Sequence, residues 1–135
     1  MKFKTEKNLR IMNELVAFFL NLGCTNIHID LSINDNTSHF LLTGNISNLK
    51  DKNFNILKDS LCVPRQHEIE EYYWNLIGEN ETGSQISLVG MMIDKCNISF
   101  EKNILRLEIY RNDNIKLLKE YMNVLTTRER DVLTK

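Results

Sequence analysis

Long apolar runs, a surplus of either charge and a pairable set of cysteines are all missing from this sequence, and each absence removes a class of function. No stretch stays apolar long enough to span a bilayer, and the opening Met-Lys-Phe-Lys-Thr-Glu-Lys lacks the apolar segment of a secretory signal. This predicts a cytoplasmic protein with no membrane partner. The formal net charge is −1, from 17 Lys and Arg against 18 Asp and Glu. With no basic run interleaved with aromatics to neutralise phosphates, it argues against a nucleic-acid partner. Cys24, Cys62 and Cys96 are odd in number and widely spaced, which indicates neither a disulfide framework nor a zinc knuckle. They read as three small core hydrophobes. No repeat of solenoid length is present. The heavy use of Asn, Ile and Lys resembles that of a low-GC bacterial genome.

What is present is enough apolar residue for one core. At 135 residues, 42% of them hydrophobic, the chain suits a domain over residues 1–111 and a C-terminal amphipathic helix or tail over 112–135. Its centre is Gln85 to Ile109. Ile86, Leu88, Val89, Met91, Met92 and Ile93 predict a helix over roughly 85–95, apolar on most sides, with Ser84 as its N-cap. The period then changes to two. Cys96, Ile98 and Phe100 fall on one face, and Leu105, Leu107 and Ile109 on one face of the next run. A two-residue turn at Lys102-Asn103 sets Phe100 opposite Leu105, Ile98 opposite Leu107 and Cys96 opposite Ile109.

Upstream, Leu9, Met12, Leu15, Phe19 and Leu22 recur at helical spacing over residues 5 to 22, with Gly23 placed as a C-terminal cap. Ile27, Ile29, Leu31 and Ile33 alternate with His28, Asp30 and Ser32, the mark of a strand with one covered and one wetter face. With Asp35-Asn36 at a turn, Leu31 faces Phe40 and Ile29 faces Leu42. Phe54, Leu57 and Leu61 predict a short helix, and Pro64 opens another that carries Ile69, Tyr72, Tyr73 and Leu76 as far as Gly78. Ile115, Leu118, Met122 and Leu125 make a last amphipathic stripe. The fold class is therefore α+β, a two-layer sandwich whose mostly antiparallel sheet is built of two hairpins with helices on one face.

Two stretches resemble the GHKL (Bergerat) ATPase fold of histidine-kinase catalytic domains and anti-sigma-factor serine kinases. Glu14-Leu-Val-Ala-Phe-Phe-Leu-Asn-Leu-Gly23 is similar in length and pattern to the family's first nucleotide-site helix. Leu88 to Ile98, ending Ile-Asp-Lys-Cys-Asn-Ile, resembles the helix of its second glycine box. The resemblance implies a nucleotide site, and the departures fall on that site. Phe18 stands at the position of the magnesium-binding Asn, Asn21 comes one turn too late, and Thr43-Gly44-Asn45 replaces the Asp-x-Gly that binds adenine. The glycine pair is reduced to Gly83-Ser84. Losing a side-chain oxygen that Mg²⁺ needs should abolish productive ATP binding, so neither ATP nor Mg is expected as a cofactor. The expectation is a non-catalytic regulatory module for protein–protein contact. The alternative is a divergent, active ATP-binding kinase in which Glu14, Asn45, Gly83 and Ser84 still hold nucleotide.

Other residues invite chemistry and have simpler readings. His28 and His39 lie near Asp30 and Ser32 on the wetter strand face, where solvated surface explains them. Glu68, Glu70 and Glu71 beside His67 suit the positive end of a helix. Tyr72, Tyr73 and Trp74 point in three directions about 100° apart, so one core stripe cannot take all three rings. Together with Leu118, Met122 and Leu125 they predict a contact surface for a homodimer or a protein partner. Leu125 to Leu133 resembles the opening of a LuxR-type helix-turn-helix, too short to make a DNA-binding unit, and is given no role.

Overall fold

Residues 4–76 and 86–113 are described by the structure, a computed structural model. Helix α1 (Lys4–Asn21) is followed by strands β1 (Ile27–Asn34) and β2 (Thr37–Asn45), helices α2 (Asp51–Leu61), α3 (His67–Leu76) and α4 (Ile86–Met91), and strands β3 (Lys95–Glu101) and β4 (Ile104–Asn112). All strand pairs are antiparallel, in the order β1-β2-β4-β3, so the two closing strands of the hairpins meet in the middle. Helices pack on one face. The fold is an α+β two-layer sandwich.

Both hairpins take the expected register. Leu31 pairs with Phe40 and Ile29 with Leu42, while Cys96, Ile98 and Phe100 pair with Ile109, Leu107 and Leu105. Lys102 (φ 52°) and Asn103 (φ 64°) both adopt the left-handed conformation that a two-residue turn needs to match the twist of its strands. Gly23 (φ 85°) ends α1, where its amide donates to the Leu20 carbonyl at 3.0 Å.

The core lies between the sheet and the helices. Phe40 and Leu42 of β2 and Leu105, Leu107 and Ile109 of β4 meet Ile11, Leu15 and Phe19 of α1, Leu57 and Leu61 of α2, and Val89, Met92 and Ile93 around α4. Each such side chain, removed from water, contributes roughly 1.5–3 kcal/mol. α1 comes close enough to β2 that a Cβ on Gly44 would collide with Cys24 and sit 3.0 Å from Phe19. That contact requires glycine.

Four local expectations are corrected. The helix expected over 85–95 is only Ile86–Met91: the Met92 amide bonds to Val89, and the chain then extends so that Asp94 donates to the Tyr110 carbonyl. Pro64 does not open α3, which starts at His67: residues 64–66 lie outside any helix, and the Gln66 amide bonds the Met91 carbonyl. On α3 the inward row is Glu70 and Trp74, leaving Ile69 exposed. A buried carboxylate with cationic partners displaces the apolar stripe. Cys62 is exposed and Cys96 only half-buried, so Cys24 alone of the three is a fully buried core thiol.

Candidate functional site

α1 divides the helical face of the sheet into two unlike halves. It lies over β2, with Asn8 donating to Ser38 Oγ at 2.9 Å near its start and Phe19 closing on Gly44 at its end. At about 100° per residue, Lys7, Arg10 and Glu14 lie on one flank, and Leu9, Met12, Val16 and Leu20 on the other. Lys7 meets Glu70 of α3, so the apolar flank must overhang β1.

On that side the apolar surface is only partly covered. Ile27 and Leu31 pack against the core with Met12 and Val16. Leu9 and Leu20 remain 56% exposed, Ile29 42% and Ile33 55%. Leu9 was expected inside the helix stripe, but lies too far round α1 to reach the sheet. The result is one apolar strip, running from the flank of α1 onto β1, at the edge of the sheet.

The opposite flank is sealed by charge. Glu70 accepts from Arg111 Nη2 at 2.7 Å, Lys7 Nζ at 3.0 Å and Arg65 Nε at 3.2 Å. Arg111 also donates to the Met92 carbonyl at 2.7 Å and to Asp113 at 3.2 Å. Arg65 donates to Asp94 at 2.8 Å and to the Asn112 carbonyl at 2.7 Å. Lys7 is paired with Glu71 as well, and its ammonium lies 5.9 Å from the centre of the Trp74 ring. Burial pushes the Glu70 carboxyl up, but the Arg111 guanidinium, with Arg65 and Lys7, outweighs it and holds the acid at about 2. The Arg111 guanidinium is likewise held charged against its burial by Glu70 and Asp113. Glu70 lies in the first turn of α3, as its reading as a helix-end carboxylate has it, and in addition binds three elements together. The sequence signal was there in Arg111, which continues the buried row of Leu105, Leu107 and Ile109.

The other face of the sheet is a polar platform. His39 Nε2 lies 2.8 Å from Glu108 Oε2 and its ring stacks on Tyr110 with centroids 4.5 Å apart. Tyr110 and Asn97 also donate to Glu108, at 3.3 and 3.5 Å. The His39 hydrogen bond is the main cause that holds the Glu108 carboxyl below its ordinary pKa. Burial and the Glu108 charge push the Tyr110 phenol above its ordinary pKa. Every partner here is a donor satisfying one carboxylate, and Asp30 is engaged by Ser32 at 3.2 Å. At the end of α2, burial and the neighbouring Cys62 push the Cys96 thiol up to about 12, which keeps it protonated and unreactive.

The positions suggested for nucleotide are scattered between these regions. Glu14 is buried on α1 with its carboxylate 3.2 Å from Arg10, Asn45 is exposed at the end of β2, and Phe18 packs against the core. Gly83 and Ser84 lie outside the described residues. Among the contact residues, Tyr72 is exposed and Trp74 is buried beneath Lys7, while the Tyr73 side chain and Leu118, Met122 and Leu125 lie outside the described residues. Among the described residues no group of three or more His, Cys, Asp or Glu side chains could hold a metal ion, and no helix is long and apolar enough to cross a membrane. No family model matches the chain, and no curated protein matches it.

Proposed function

We propose that the chain is a non-catalytic regulatory module of the cytoplasm that works by protein–protein contact on a GHKL-like sandwich. The observation that carries this reading is the exposed apolar strip of Leu9, Leu20, Ile29 and Ile33, on a domain whose buried ionic groups on the other flank are tied into internal pairs. Such a strip loses solvent-exposed apolar area only when something binds it. The element order of helix, hairpin, helices and second hairpin supports the GHKL-like assignment, and Phe18 at the magnesium position supports the loss of ATP binding. Tyr72, exposed on α3, offers a second point of contact.

A nucleotide titration tests the reading. Ligand at a hundredfold excess over its Kd adds about 2.7 kcal/mol of stability, a clear rise in Tm for a domain of this size. MgATP at millimolar concentration is expected to leave the melting curve unmoved. Saturable stabilisation would overturn the module and restore an ATP-binding kinase that uses Glu14 and Asn45.

A further inference from the structure

We infer that the strip is covered by a second copy of this chain, joined through the outer edge of β1 across a two-fold axis at Leu31. The inference deepens the reading of the strip as a contact surface and does not depend on the loss of nucleotide binding.

The two edges of the sheet are built differently. β3 carries Lys95 and Glu101 and turns at Lys102, charges that discourage another strand from pairing there. β1 reads Ile-His-Ile-Asp-Leu-Ser-Ile-Asn, with no Lys, Arg or Pro and a single carboxylate. Its outer backbone groups have no strand partner among the described residues. A free edge bordered by exposed Ile29 and Ile33 is a template for strand addition.

Register narrows the partner to a copy of itself. Side chains alternate with period two, so antiparallel self-pairing keeps both apolar rows on one face only when the axis passes through a residue. An axis at Asp30 would set two carboxylates directly opposite each other, and an axis at Ser32 would bring Asp35 of the turn against exposed Ile29, whereas an axis at Leu31 leaves Asp35 opposite only Ile27 at the far end of the strand. An axis at Leu31 pairs Leu31 with its equivalent, Ile29 with Ile33 and Asp30 with Ser32. Ser32 Oγ already donates to Asp30 within the strand at 3.2 Å, and across the axis the same two groups can bond reciprocally. The axis is normal to the sheet, so both α1 helices stand on the same side, each over its own β2. Three strand spacings of about 4.8 Å separate the two β2 strands, so the helices would lie about 14 Å apart. Direct helix packing needs 8–10 Å, and the gap is filled by Leu9, Val16 and Leu20 of both copies above the paired isoleucines.

Sedimentation of the full chain from 1 to 200 µM, an illustrative range, is the first test, and a mass of twice the chain is expected at the upper end. Ile29→Lys with Ile33→Lys should weaken association at least tenfold while circular dichroism and a cooperative melt remain. If that variant does not fold, Leu31→Cys in a Cys62→Ser background supplies the second test. Directly opposed residues on antiparallel strands lie within disulfide range, so copper phenanthroline should cross-link Leu31→Cys well and Ser32→Cys poorly. A monomer throughout, a folded lysine variant that still dimerises, or equal cross-linking by the two cysteines would each overturn the self-pairing. A monomer that ignores MgATP leaves the module standing, whereas a dimer that binds MgATP removes the module and keeps the interface.

Discussion

The two edge strands of this sheet have the same alternation of residues and opposite fates. β3 turns Cys96, Ile98 and Phe100 into the core, while β1 leaves Ile29 and Ile33 largely in water. The cause lies in how the helices divide the sheet. α4 packs against both α1 and α2, and α3 is locked down through Glu70, so three helices gather on the side of α1 away from β1. No described helix lies beyond α1 on the β1 side. Alternation therefore decides which face of a strand is apolar, and the layer above it decides whether that face is used inside the molecule.

The largest effect expected from breaking this contrast comes from the same substitution made on the two sides. Val89→Asp places a charge with no partner in the sealed core, at a cost of several kcal/mol against a total stability of about 5–15, and should leave no cooperative melt. Ile33→Asp puts the charge in water at the edge and should keep a native circular dichroism spectrum and a cooperative transition. Equal unfolding by both would mean that β1 is covered within one chain.

Next in size is the ionic half. Glu70→Ala strands Arg111 and Lys7 without their shared carboxylate, and urea denaturation should report a loss of about 3–5 kcal/mol. Glu70 also makes stability depend on acid. Its carboxyl titrates near 2 when folded and near 4.3 when unfolded, so its contribution of about 3 kcal/mol is complete above pH 4.3 and is lost as pH falls towards 2. Glu70→Gln should flatten the stability curve across that window. An unchanged acid transition in the variant would move the dependence to other carboxylates.

Both hairpins were legible to the residue because their information is local: alternation fixes the faces, and Asp35-Asn36 and Lys102-Asn103 fix the turns. The ionic cluster was not legible, because Lys7, Arg65, Glu70 and Arg111 are distant in sequence and each alone resembles solvated surface. Arg111 in phase with Leu107 and Ile109, and Glu70 four residues before Trp74, were the available hints. The exposure of Ile29 and Ile33 was equally hidden, since a strand pattern says nothing of where helices will lie. The residues suggested for nucleotide, by contrast, were picked by resemblance, and the structure leaves Glu14 with Arg10 and Asn45 at a strand end.

Concentration-dependent hydrogen exchange on the two edge strands distinguishes an edge shared between copies from a free one. The outward amides of β1 from His28 to Asn34 should exchange quickly in dilute protein and become protected as the concentration rises, while those of β3 exchange at one rate throughout. Protection of β1 that is the same at every concentration, or that rises equally in β3, would mean that the two edges do not differ in what covers them.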